Sequence, residues 1–195
     1  EPAFFTSGPY SASVASDSTG YELLDRKTVQ FGGAYDKIEF CDLVRNGRDL
    51  IHVKVYKNSA TLSHLFAQGS VAAEAFVADE VFRAKLNEQL PAGIKLRDPT
   101  ARPNASDYRI VYAIVTTKNL PQALPFFSKV TLKNAIASLI ALGFGVAIAR
   151  IAIDPEFAST ASCKPSRRAR AAAPALAQLV QTPDRRPRPP AASQA

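Results

Sequence analysis

The sequence predicts an α/β domain on a mixed sheet, in which an antiparallel hairpin joins a parallel strand–helix–strand unit. Three observations carry this. Two short apolar runs, Lys37–Val44 and Leu50–Tyr56, flank Arg45-Asn46-Gly47-Arg48-Asp49, and Asn-Gly between such runs is a strong hairpin signal. Tyr108–Val115 is almost continuously apolar, as expected of a strand covered on both faces. A helical stretch from Ser128 to about Leu142 ends at Gly143, and a last apolar run, Phe144–Ile153, follows it, which is the layout of a parallel crossover.

Taken in order, Tyr21–Val29 reads as a first strand, followed by a turn at Phe31-Gly32-Gly33-Ala34. In Leu50–Tyr56 the alternation puts Ile51, Val53 and Val55 on one face, expected to pack on helices. His52, Lys54 and Tyr56 fall on the other, expected to be partly wet. Asn58 or Ser59 can cap a helix carrying Leu62, Leu65, Phe66 and Ala73, with Gly69 weakening its middle. Asp79 caps the next helix, which Pro91-Ala92-Gly93 stops, and residues 97–107 are loop. Ser128 caps the later helix, with Phe127 and Leu132 as a hydrophobic staple and Gly143 as its left-handed stop.

The domain so defined spans residues 21–153. Residues 1–20, rich in Ser, Gly and Ala, read as a linker or flexible edge, and 154–195, rich in Ala, Pro and Arg, as a disordered tail. The net charge of +7 is unevenly placed: residues 155–195 hold seven basic groups against two acids, and the preceding 154 hold seventeen against fifteen. Global charge therefore argues little for DNA binding. Cys41 and Cys163 are too few for a disulfide framework or a zinc site, and Cys41 reads as a small buried side chain. No signal peptide or bilayer-long apolar stretch is present, so a cytoplasmic protein without a membrane partner is expected. The chain contains no methionine, and a piece of a longer parent protein is the expectation that follows. There is no nucleophile elbow, Walker A loop or dinucleotide fingerprint; Gly143-Phe144-Gly145 follows a helix where that fingerprint follows a strand.

The polar chemistry concentrates on the hairpin. Glu39 and Asp42 lie on its first run and His52 and Lys54 on its second, so a carboxylate, an imidazole and an ammonium group can meet across the turn. Carboxylates that hold a divalent ion beside a cation are one way to cleave a phosphodiester. Which acid takes part depends on register. A two-residue Asn46-Gly47 turn pairs Glu39 with Lys54 and Cys41 with His52; a three-residue loop ending at Gly47 in a bulge brings Asp42 to the His52 face instead, the arrangement slightly favoured. The structural alternatives are a Glu39–Lys54 ion pair, Asp42 capping the turn, and His52 as a satisfied core residue. His64 and Gln68, one helical turn apart, are secondary candidates for the edge of a substrate channel.

Five segments carry a resemblance: LLDRK (23–27), IEFCDLV (38–44), IHVKVY (51–56), LSHLFAQG (62–69) and LPFFSKVTLKNA (124–135). In this order they resemble a bacterial family described as "sporadically distributed protein", a domain of unknown function, over roughly residues 21–153. The resemblance implies a longer parent protein and the patchy occurrence of defence genes, and it supplies no activity. The hairpin is also similar in layout to the PD-(D/E)xK nuclease core, with His52 where that core has an acid. By that similarity Asp42, Glu39 and His52 would hold Mg²⁺ or, with an imidazole present, Mn²⁺, and Lys54 would face the phosphate. His52-Val53-Lys54 also resembles the phospholipase D motif H-x-K-x4-D, whose last position here is Ser59. The sequence thus predicts a metal-dependent nuclease-like domain acting on DNA or RNA, with a noncatalytic nucleic-acid or protein interaction module as the competing reading.

Overall fold

The structure is a computed structural model that describes residues 20–24, 27–30 and 37–152. The expected N-terminal linker, all of it before Gly20, and the expected tail with Cys163 lie outside the described residues. A five-stranded sheet has the order β1 (Tyr21–Leu23), β4 (Leu43–Arg45), β5 (Asp49–Val55), β6 (Arg109–Val115) and β7 (Gly145–Ile151). The first three strands are antiparallel and the last three parallel, so the sheet is mixed as the sequence predicts. A separate antiparallel ribbon pairs β2 (Thr28–Gln30) with β3 (Lys37–Glu39). The α-helices among the described residues are α1 (Ser59–Ala78), α2 (Glu80–Gln89) and α3 (Phe126–Leu142).

Two expected strands are each divided. Tyr21–Val29 splits into β1 and β2, and between them the N–H of Lys27 donates to Leu24 O at 2.9 Å. Lys37–Val44 splits into β3 and β4 because of residues 40–42. Phe40 is buried, its ring 5.1 Å from that of Phe76 on α1 and 6.3 Å from that of Phe82 on α2. A single flat strand cannot both pair with β5 and drop this ring between two helices.

The second correction concerns faces. All three described α-helices contribute to the cluster that holds Leu50, Ile110, Tyr112 and Ile114, so they cover the His52 side of β5. Ile51 and Val53 join Val111, Ala113, Ala147 and Ala149 in a cluster on the opposite face, to which only strand residues contribute among those described. The cause is register with the parallel neighbours. On β6 the larger Ile110, Tyr112 and Ile114 alternate with Val111, Ala113 and Val115, and the larger set faces the helices. His52 is paired with Tyr112, and Tyr112 with Ile148, so His52 follows them inward.

The caps are mostly as the residues dictate. Asn58 accepts from the N–H of Thr61 at 2.9 Å, and Asp79 from the N–H of Phe82 at 2.7 Å. Gly143, at φ +96°, closes α3 with the N–H of Phe144 donating to Leu139 O at 2.9 Å. The start of α3 differs from expectation. It begins at Phe126 after Pro125 without a capping side chain. Ser128 is instead buried against α1, its Oγ 2.9 Å from that of Ser59 and donating to Ser59 O at 3.3 Å. Thr131 reaches Ser63 at 3.4 Å, so α1 and α3 run side by side from their N-termini.

Gly69, which weakens α1 in propensity, is required by packing. A Cβ there would stand 2.6 Å from Tyr112 Cε1 and 2.8 Å from its Oη. The ring cannot yield, because Tyr112 is fully buried and its hydroxyl donates to Phe66 O at 3.0 Å. Gly69→Ala is therefore expected to lose about 1–3 kcal/mol in urea unfolding, although alanine gains up to about 1 kcal/mol in helix propensity. Unchanged or increased stability would show that the Tyr112 ring has room to move.

Candidate functional site

The hairpin turn uses Asn46 at φ +53° and Gly47 at φ +65°, a conformation open to an Asn-Gly pair at little cost. The N–H of Arg48 donates to Arg45 O at 3.0 Å, and Arg45 pairs with Asp49 across a three-residue loop, Asn46–Arg48. The ladder ends with Leu43 opposite Ile51, and the N–H of Asp42, just before it, also donates to Ile51 O at 2.9 Å. The loop has the three residues of the second alternative but lies one residue further on, ending at Arg48 and not at Gly47.

Proximity does not make these groups a constellation. Asp42 Oδ2 accepts from the backbone N–H of Val53 at 2.6 Å, and neither ring nitrogen of His52 has a hydrogen-bond partner. Glu39 lies on the separate ribbon and accepts from Gln68 Nε2 at 2.9 Å, so it joins one secondary candidate and stays apart from Lys54. His64, a turn earlier on α1, is exposed, and Lys54 is half-buried beside Ile114. Among the described residues no group of three or more His, Cys, Asp or Glu side chains could hold a metal ion. The ligand set expected for Mg²⁺ or Mn²⁺ therefore does not fit: one carboxylate is committed to the backbone, one to an amide, and the imidazole is sealed. Cys41 is buried, and burial, with the charges of Asp42 and Glu39, holds its thiol well above the ordinary range.

Other polar groups of the domain also serve structure. Buried Asp49 accepts from Arg45 Nε at 2.9 Å and from Arg109 Nε and Nη2 at 2.9 and 2.8 Å, tying the hairpin to β6. Arg83 is buried and gives its guanidinium to four carbonyls, those of Pro99, Phe76, Val77 and Thr100, at 2.8–3.2 Å. It thereby closes the end of α1 and pins the following loop.

The sites left unspent are on α3. Only Ser128, Leu132, Ala135 and Leu139 of this helix are buried. Phe126 and Phe127 are 72% and 73% exposed, their rings in an edge-to-face pair at 5.5 Å, and Val130 is exposed one turn on. Phe127 thus makes no staple with buried Leu132. Lys129 and Lys133, a turn apart, are exposed and edge an open hollow of about 410 Å³ with Pro121, Gln122, Leu124, Leu132 and Ile136. Residues 108–152 contain no Asp or Glu and five basic groups. Sequence reasoning missed this surface because charge was summed over 154 residues and Phe127 was given to a staple with Leu132. A windowed count of acids would have found it.

These features define a mixed α/β domain with its described helices on one sheet face, a hairpin whose polar groups are mostly bonded internally, and an acid-free stretch containing an exposed aromatic–lysine helix. The chain belongs to a family of unknown function (DUF6119), whose model matches residues 7–152. No curated protein and no solved structure matches it. No described helix is long and apolar enough to cross a membrane.

His52 has a measurable consequence. It is 1% exposed, and burial lowers its pKa from 6.5 to about 4. Between these values the unfolded chain binds a proton that the folded chain refuses, so this contribution to stability is whole above pH 6.5 and is lost as the pH falls toward 4. The loss is on the order of 3 kcal/mol. Carboxylates titrate in the same window, so the expected signal is a difference between proteins. Urea unfolding of His52→Leu should show a shallower decline from pH 7 to pH 4 than the parent, and parallel declines would show that the imidazole meets water.

Proposed function

We propose that this domain binds nucleic acid without cleaving it, through the outer face of α3, and that its hairpin is architectural. The observation that carries this reading is the acid-free stretch 108–152, in which Lys129 and Lys133 stand beside exposed Phe126 and Phe127. A phosphate backbone is drawn to such a surface whatever its sequence, and each lysine that displaces a counterion adds to affinity and to its salt dependence. No carboxylate of the same stretch opposes that field.

Metal-dependent cleavage by Asp42, Glu39, His52 and Lys54 is the reading suggested by residue types. It draws less support from the geometry, because a general base or ligand needs access to the reacting atoms and the imidazole has none.

One experiment separates the two. Labelled DNA and RNA are titrated with the full chain at low salt, and the products are examined after incubation with Mg²⁺, Mn²⁺ or EDTA. Binding without turnover is expected. Lys129→Glu with Lys133→Glu should weaken it about tenfold or more and make the slope of log K against log salt shallower by about 1–2. Metal-dependent cleavage that disappears in a folded Lys54→Ala variant would overturn the proposal in favour of the enzyme.

A further inference from the structure

We infer that the nucleic acid taken by α3 is single-stranded, its bases stacking on Phe126 and Phe127 while its phosphates follow Lys129 and Lys133. This deepens the proposed nucleic-acid reading and rests on it. At the helical period, Phe127, Val130 and Phe126 occupy one side of the outer face, and Lys133 and Lys129 come next. The lysines therefore form a column along an aromatic strip. A duplex hides its base faces inside the stack and would meet only the lysines, leaving two exposed rings without a role. A single strand offers both chemistries side by side, a negative backbone and flat apolar bases, and stacking on aromatic residues is tolerant of sequence. The occupant is chosen by charge: the face carries cations and aromatic rings, with no acid anywhere in residues 108–152. That selects against a basic or purely apolar partner.

The test uses the full chain, a labelled oligothymidine and a duplex of equal length. Tighter binding of the single strand is expected, with about tenfold or more lost in Phe126→Ala/Phe127→Ala. Both rings are exposed, so the double variant should keep its circular dichroism and melting temperature. The chain contains no tryptophan, so Phe126→Trp adds a single reporter, and oligothymidine should quench its emission through stacking. Equal affinity for duplex, unchanged by the alanine variant, overturns this inference and leaves nucleic-acid binding standing. Failure to bind any strand at low salt overturns both. Ring-dependent binding of a glutamate–tyrosine copolymer, with oligothymidine ignored, overturns it in favour of an acidic protein partner.

Discussion

A carboxylate standing in for a backbone carbonyl governs the architecture of this domain. Asp42 Oδ2 takes the N–H of Val53, its own N–H donates to Ile51 O, and its carbonyl accepts from Leu24, both of the latter at 2.9 Å. One residue thus serves strands on both sides at the point where the chain leaves the main sheet. Without the carboxylate, Val53 would keep a buried donor unpaired, a penalty of about 1–3 kcal/mol. With it, the chain can turn away, seat Phe40 between Phe76 and Phe82, and carry Glu39 to Gln68. The acid that looked most like a metal ligand is the reason the hairpin has its shape.

The same economy runs through the remaining buried polar groups. Asp49 is matched by two guanidinium groups, and Arg83 by two carbonyls at the end of α1, where the helix dipole favours a cation, and two of the loop at Pro99 and Thr100. Such groups hold their partners because leaving a buried charge unpaired costs more than the pair returns. His52 is the exception. It is sealed with two unpaired nitrogens, and the domain accommodates it by keeping the ring neutral, which is far less costly than burying its charge.

Much of this was legible in sequence where a local rule and the tertiary structure agree. Asp79 caps a helix, Gly143 stops one, and the apolar run ending at Val115 is covered on both faces, each for reasons contained within a few residues. The alternation along β5 was also correct, but alternation defines two faces without saying which receives the helices. That choice was made sixty residues away by the larger side chains of β6, and it reversed the expected exposure of His52. The break at residues 40–42 was invisible for a similar reason, since Phe40 is apolar in any strand and only the positions of Phe76 and Phe82 divert it. The candidate surface on α3 was hidden by averaging, because acids outside residues 108–152 cancelled its lysines in the sum.

The buried stripe of α3 bears on what can cover its outside. Ser128, Leu132, Ala135 and Leu139 form a narrow seam, so the helix is anchored along one line and leaves most of its circumference outward. A dry protein interface over that circumference would enclose Lys129 and Lys133 beside the two phenylalanines, and each ammonium group would then need a carboxylate in register or would be buried unpaired. A strand of nucleic acid supplies a charge at every residue and an apolar face between charges, so neither lysine is stranded and neither ring is left in water. The pattern that makes this face costly for an ordinary hydrophobic partner suits a polyanion whose bases are free to stack.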